Sequence, residues 1–412
     1  MKDSNSSPKV IIIGFNYGSI LTMVRDLGRA GYDVYVLRVF RKTPGFLNIL
    51  GKMAPERESI YVKDHRTCIM DGKTENIRDA ILDLRSPSSD DRPLLIPVDD
   101  FLVSAIDLHY DELKDYFVIP NVGDRSLGIT ELMDKDLQKR MAEKAGLDTL
   151  KSTIISLGGN GLKIPEDTPY PCFIKPNVST RGSKLIMKKC LNREELLAAL
   201  SSAHEGEGSV MAEEYKDIRN EYSMLGAVTE EGAVISGVFR AVMRGNRERK
   251  GVAVTGEVLD PSGWEDLMEA SKTFTESTGY RGMFDLDFIE DENGKIFFTE
   301  MNFRAGASVH ALTDEKNDLP AMFAGSILKG EPMDTETRKI NTGKVFVSEK
   351  ALLEEYVRND IDYSALKDNL NNADIFFIKD PEDPRPYEYF RRYIGKARAL
   401  RFPYRVRDGL KK

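Results

Sequence analysis

The residues best suited to chemistry lie in Phe284-Asp285-Leu286-Asp287-Phe288. Apolar and acidic residues alternate there, and a strand of period two sends both aspartates to one face. Asp291–Gly294 reads as a hairpin turn and Lys295–Met301 as the returning strand, which ends in Glu300-Met301-Asn302. Glu300 and Asn302 share a face, and Asp287 reaches that side across the hairpin. Two carboxylates and one amide form an oxygen set of the kind that hard divalent cations such as Mg2+ (or Mn2+) take, with water and phosphate oxygens completing the shell. A solvated hairpin could carry the same residues. The turn Asn302-Phe303-Arg304-Ala305-Gly306 argues against that, because it brings an arginine and backbone amides to the same place.

A second group could hold phosphates. Lys175 ends the apolar strand Cys172-Phe173-Ile174 and is pinned by Pro176, so its ammonium can act as a point charge on a phosphate. The segment that follows, with Ser179, Thr180, Gly182, Ser183 and Lys184, is small and hydroxylated, which lets backbone N–H groups approach phosphate oxygens. A plain surface hairpin would look similar. Glu214 ends the apolar run Val210-Met211-Ala212, and Glu221 begins another strand seven residues later. Such a connection can present backbone edges to an adenine and a carboxylate to ribose hydroxyls, and the plain alternative is two loop glutamates. Arg240, Arg244, Arg247 and Arg249 crowd into Phe239–Gly251, either to bind substrate anions or as a solvated loop.

These groups need a scaffold. Val10–Gly14 is an apolar run ending in glycine, as in a buried parallel strand. A helical pattern follows through Leu21, Val24, Leu27 and Ala30; Gly31 ends it, and Asp33–Leu37 reads as the next strand. This β-α-β unit predicts an open, doubly wound α/β sheet. The glycines do not fit the dinucleotide spacing GxGxxG. Leu94–Val98 is a further strand with Asp99 and Asp100 at its carboxyl end, where ligands of such sheets sit. Either aspartate is equally suited to cap a helix over Phe101–Leu108. From Thr130 onward a helix over Asp134–Ala145 gives way to short strands, interrupted by helices at Arg193–Ser202 and Ser262–Ser277. That mixture predicts an α+β region with a largely antiparallel sheet. The expected domains are 1–125, Rossmann-like; 126–335, with a lid at about 150–215 and a larger subdomain at about 216–335; and a C-terminal extension, 336–412.

The 412 residues are 41% hydrophobic and 31% charged, an ordinary globular composition. A formal net charge of −8 argues against nucleic acid as the main partner. Cys68, Cys172 and Cys190 have neither disulfide-framework nor metal-pair spacing, and the apolar run at the N-terminus is too short for a signal peptide or span. A reducing cytoplasm is expected. His65, His109, His204 and His310 lack zinc-ligand spacing, and no serine sits in a GxSxG elbow.

Taken in order, the motifs resemble the ATP-grasp superfamily of carboxylate–amine and carboxylate–thiol ligases. They are a helix-borne Lys135, the strand end Phe173-Ile174-Lys175-Pro176, the loop Thr180–Lys184, the hinge Glu214 with Glu221, the set Asp287, Glu300 and Asn302, and the signature Glu300-Met301-Asn302-Phe303-Arg304. The resemblance spans Val10 to Gly330. It implies ATP and Mg2+ as cofactors, with a carboxylate activated as an acyl phosphate and joined to an amine. It implies that Lys135 and Lys175 contact phosphates, Glu214 the adenine amino group and Glu221 the ribose. Asp287, Glu300 and Asn302 would hold the metal, and Arg304 would steady the γ-phosphate or acyl phosphate. Gly182-Ser183-Lys184-Leu185 departs from the family's usual Gly-Ser-x-Gly-aliphatic loop, which puts the Ser183 contact in doubt. The layout is closest to the D-aspartate ligase-like branch, so an amino acid is expected as one substrate and a cell-wall peptide is a candidate product. Asp99, Asp100, Arg240 and Arg244 are the candidate substrate residues. The competing readings are a carboxylase or carbamoyl-phosphate-type subunit and a non-catalytic ATP-binding module. Small-molecule acid and amine are the expected partners, and a homodimer is allowed. Arg385–Lys412 carries ten basic residues against two acidic, with aromatic residues between them. It could lie on an anionic membrane surface or pack on the body as an amphipathic helix.

Overall fold

The computed structural model describes residues 8–41, 53–71, 73–86, 91–157, 162–178, 187–201, 208–245, 253–314, 318–334, 340–358 and 360–392. The N-terminal part runs β1 (Lys9–Gly14), α1 (Tyr17–Arg29), β2 (Asp33–Arg41), β3 (Val62–Met70), α2 (Glu75–Leu82), β4 (Leu94–Pro97), α3 (Asp100–Leu108) and α4 (Tyr110–Leu113). β5 (Asn121–Val122), α5 (Ile129–Leu132) and α6 (Lys135–Lys144) lead into a small sheet of β6 (Ser152–Ser156), β7 (Cys172–Pro176), β8 (Lys188–Cys190) and, after α7 (Arg193–Ser201), β9 (Ser209–Glu214). The large sheet follows with β10 (Ile218–Thr229), β11 (Gly232–Arg244), β12 (Ala253–Val258), α8 (Glu265–Ser277), β13 (Tyr280–Asp291), β14 (Ile296–Asn302) and α9 (Leu319–Lys329). β15 (Val345–Val347), α10 (Glu349–Arg358), α11 (Tyr363–Asn371) and β16 (Ile375–Phe376) complete the chain's regular elements among the described residues.

The first sheet is parallel, in the order β3-β2-β1-β4. Val10 to Ile13 of β1 are fully buried because both faces of the sheet are covered, and burial of each such side chain contributes about 1.5–3 kcal/mol. Strand order reverses direction between β1 and β4, so a crevice opens there at the carboxyl ends of the strands. The large sheet runs β14-β13-β10-β11-β12-β15-β16 and is antiparallel except at its β15–β16 edge. The small sheet, β6-β9-β7-β8, is antiparallel throughout. The α/β and α+β classes expected from the sequence are both present.

One apolar core joins Val10, Ile12 and Ile96 of the parallel sheet to Leu225, Val234 and Phe239 of the large sheet. A second fills the other face of the large sheet, around Phe284, Phe288 and Phe298. The small sheet closes on α7 through its own cluster, including Cys172, Ile174 and Leu196. Cys68, Cys172 and Cys190 are free and buried. Residues 179–186, with the expected phosphate loop, lie outside the described residues, and the strand that follows is Lys188–Cys190. Residues 393–412 also lie outside them, and with them most of the basic tail and its expected membrane contact. No helix among the described residues is long and apolar enough to cross a membrane.

Candidate active site

The β13–β14 hairpin sets the site. Asp287 is paired in register with Glu300, and Asp285 with Asn302. A bulge between Asp287 and Phe288 absorbs the odd spacing of the hairpin and keeps the polar residues on one face. Asn302 Nδ2 donates to Asp287 Oδ2 at 3.0 Å, and Ser223 Oγ on neighbouring β10 donates to Asp287 Oδ1 at 3.1 Å. Gln138 of α6 fixes the strand from behind. Its Oε1 accepts from Met301 N at 2.9 Å, and its Nε2 donates to Met301 O at 3.0 Å. Met301 lies between Glu300 and Asn302, so this two-way clamp holds both polar neighbours toward the cleft.

The helix α6 also delivers a cation. Asp134 caps it, accepting from Leu137 N at 2.9 Å, and Lys135 at its first position reaches Glu300 Oε2 at 2.6 Å. Asn177, just after β7, ties the small sheet to this helix start by donating to Asp134 Oδ2 at 2.7 Å. Lys175 at the end of β7 donates to Glu213 Oε2 at 2.8 Å, with Lys139 of α6 3.9 Å from the other Glu213 oxygen. The small sheet and the hairpin therefore turn Lys135, Lys175 and a carboxylate set toward one another.

Charges and burial interact strongly here. Burial pushes Asp285 up to about 8, Asp287 adds to that, and Arg304 and Arg244 oppose it. Burial and then Glu300 raise Asp287. Burial also works upward on Glu300, but Lys135 and Lys175 outweigh it and bring that carboxyl to about 2. Burial disfavours the Lys175 ammonium, yet Glu213 and Glu300 hold its pKa above the ordinary lysine value. The oxygens of Asp287, Glu300 and Asn302 fit a hard divalent cation by chemistry and convergence. With a cation bound, Asp287 and Glu300 would exchange their present protein donors for it. No group of three or more His, Cys, Asp or Glu among the described residues is arranged to hold a metal without such help from an amide or a ligand.

Arg304 lies where the two domains meet. Its Nε is 3.0 Å from Asp100 Oδ1, its Nη2 is 3.4 Å from Asn302 Oδ1, and its Nη1 is 3.8 Å from Asp285 Oδ2. Asp99 occupies the N-cap position of α3 without capping it; its Oδ2 instead accepts from Phe15 N at 2.6 Å and so ties the β1–α1 turn to β4. Asp99 is thus structural in position, while Asp100 faces the site.

The other expected residues divide. Glu221 forms an ion pair with Arg244, whose pKa is raised, against desolvation, by Asp287 and Glu221; both lie at the site. Arg240 does not. It is in register with Tyr222, on the opposite face of β10 from Glu221 and Ser223, and pairs with Glu257 at 2.7 Å. Register shifts between Ala241 and Arg244 turn Arg244, but not Arg240, inward. The arginine cluster is therefore split. Arg247, Arg249, Thr180, Gly182, Ser183 and Lys184 lie outside the described residues. Glu214 sits at the hinge between β9 and β10, paired with Lys216 at 2.6 Å. Glu213, Gln138 and Ser223 were not singled out in the sequence. The hydroxyl and amide gave no motif, and Glu213 became visible only when β9 was laid beside β7.

The chain resembles known proteins in both sequence and fold. Residues 160–315 match the family described as D-ala D-ala ligase C-terminus. A D-alanine--D-alanine ligase of Dechloromonas aromatica is 29% identical over 199 residues, covering 47% of this chain and 65% of that ligase. One from Streptococcus pneumoniae is 27% identical over 198 residues, covering 46% and 56%. The chain thus spans less than two thirds of the length of these relatives. Among solved structures, N5-carboxyaminoimidazole synthetase from Staphylococcus aureus superposes with a TM-score of 0.59 at 14% identity, over 87% of this chain and 86% of that one. An L-amino acid ligase from Bacillus licheniformis gives 0.57 at 14% identity, over 83% and 79%.

Proposed function

We propose that this chain, which belongs to the ATP-grasp superfamily, is an ATP-dependent ligase that activates a carboxylate and joins it to an amine with release of ADP. The observation that carries this reading is the convergence of Lys135 and Lys175 on the half-buried oxygen set of Asp287, Glu300 and Asn302, with Arg304 alongside. A carboxylate is a poor electrophile until its oxygen becomes a leaving group. Phosphoryl transfer does this, and the protein's part is to position the reactants and neutralise charge.

In this reading Asp287, Glu300 and Asn302 would hold Mg2+, which would supply charge neutralisation for the phosphates. Lys175, on the small sheet, and Lys135, on α6, release Glu213 and Glu300 and grip phosphate oxygens. Glu214 and Glu221 lie at the hinge for adenine and ribose, and Arg244, freed from Glu221, turns to an anion. Arg304 stabilises the oxygen charge that grows on the acyl group as the amine attacks. An amino acid is the substrate class we assign, since the relatives by sequence are amino-acid ligases in name. A D-aspartate ligase-like specificity rests on layout alone. Purified protein should release ADP and phosphate from Mg-ATP only when both an acid and an amine are supplied. ATP bound without such release for any panel of acids would favour a binding module.

A further inference from the structure

The ligase reading leaves one set of charges without a role. α3 starts at the switch point of the parallel sheet, where open α/β sheets receive ligands. Its first residue, Asp100, meets Arg304 there, and Asp285 approaches the same guanidinium from β13. Two carboxylates thus share one cation. Asp285 is only 7% exposed, and its Oδ1 accepts no hydrogen bond; Asp100 Oδ1, though 3.0 Å from Arg304 Nε, is not in line for one. A buried carboxylate oxygen without a donor is costly, and such gaps in a native structure call for a missing partner. Gly306 lets the Asp285 carboxyl pack against the backbone, since a Cβ there would come within 2.2 Å of Asp285 Oδ2.

Asp285 is set apart from the metal set by register. It faces Asn302, whereas Asp287 faces Glu300, and both Asp287 oxygens already have donors. We infer that Asp285 and Asp100 are the receptor for the positively charged end of the amine-bearing substrate, which enters by the crevice between β1 and β4. An ammonium brings three donors and one positive charge to the two unfilled oxygens. It brings positive charge to the two acids that flank Arg304, and the same pair disfavours an anion there. The acid to be activated is thereby kept on the Arg244 side of the cleft, and the amine on the side of the N-terminal domain. This inference rests on the ligase reading, and its test separates the two.

The full chain is assayed with Mg-ATP and a panel of acids in two ways. One uses L- and D-amino acids as the amine. The other uses hydroxylamine, a nucleophile neutral at assay pH, which displaces phosphate from an activated acid to give a hydroxamate. Asp285→Asn and Asp100→Asn should each raise the KM for the amine by about 10- to 100-fold, the loss of a charge-assisted hydrogen bond. Hydroxamate formation should change by less than about threefold. The two variants lie in different domains, and hydroxamate formation reports that each is folded. Equal loss in both assays would place these carboxylates in phosphate or metal handling and overturn the inference, as would an unchanged amine KM in both variants. A wild-type chain that gives neither ADP nor hydroxamate with any acid overturns the ligase reading, and this inference with it.

Discussion

Among the described residues, the buried arginine–carboxylate clusters around Arg25 and around Arg304 are built to different standards. In the first, Arg25 of α1 is fully buried. Its Nε donates to Asp383 Oδ2 at 3.0 Å, and its terminal nitrogens donate to the backbone oxygens of Phe377, Ile378 and Asp383. Asp383 Oδ1 accepts from Ile60 N at 3.0 Å, and Glu349 accepts from the N–H groups of Phe377, Ile378 and Lys379. The C-terminal segment is thereby latched to the parallel domain with its main charges matched. Asp26 beside it lacks hydrogen-bond partners, and burial pushes its carboxyl well above the ordinary range. In the second cluster, around Arg304, carboxylates outnumber their partners, and Asp285 is left with an unfilled oxygen. Every nitrogen of Arg25 finds an acceptor within the chain, whereas Arg304 is shared between two acids whose remaining oxygens are left for what the site binds.

Substitutions should separate the two. Asp287→Asn removes a ligand from the centre and should lower ADP formation by about a thousandfold, in the range of lost transition-state charge stabilisation. Its thermal midpoint should hold or rise, because a buried like charge beside Asp285 is gone. Arg25→Ala leaves Asp383 buried and unpaired and should cost about 3–5 kcal/mol in denaturant unfolding. Turnover per folded molecule should stay within about threefold of wild type in that variant. Gln138→Ala should show a mixed effect: about 1–3 kcal/mol of stability from the unpaired Met301 backbone, and a drop in turnover from the loosened Glu300 and Asn302.

The pH dependences of the two clusters should have opposite signs. His310 Nε2 lies 3.1 Å from Phe376 O of the latch, and burial brings the ring down to about 4. The unfolded chain binds that proton more readily, so stability is lost as pH falls from about 6.5 toward 4. Asp285, raised by burial to about 8, binds its proton more readily in the folded state. In the absence of metal its contribution falls as pH rises from about 4 toward 8. Below about 6.5 His310→Gln and Asp285→Asn should change the slope of a stability–pH curve in opposite directions, and between about 6.5 and 8 only Asp285→Asn should change it. Slope changes of the same sign in both variants would contradict this.

Much of the centre was legible in the sequence, because strand periodicity needs no partner to be known. Asp287, Glu300 and Asn302 fell on one face by alternation, and the bulge at Phe288 did not undo it. The β-α-β start was legible for the same reason, since a fully buried strand reads as an unbroken apolar run. What the sequence hid was register between distant strands. The Lys175–Glu213 pair depends on how β7 lies against β9, and no local pattern reports that. Arg240 and Arg244 look equivalent at a spacing of four, yet irregular pairing with β12 sends them to different faces. Asp99 and Asp100 were adjacent candidates for one role; the chain reversal at the helix start gave one to Phe15 and the other to Arg304. The latch was illegible for the plainest reason, that Arg25 and Asp383 are 358 residues apart.

The central claim is that the carboxylates of the hairpin serve phosphoryl transfer to an acid. It is tested most directly by ADP and phosphate release from wild type and Glu300→Gln, with Mg-ATP and panels of L- and D-amino acids as acid and amine. The account predicts release in wild type that requires Mg2+, acid and amine together, and that falls by about a thousandfold in the variant. Release that is equal in the two proteins would contradict it.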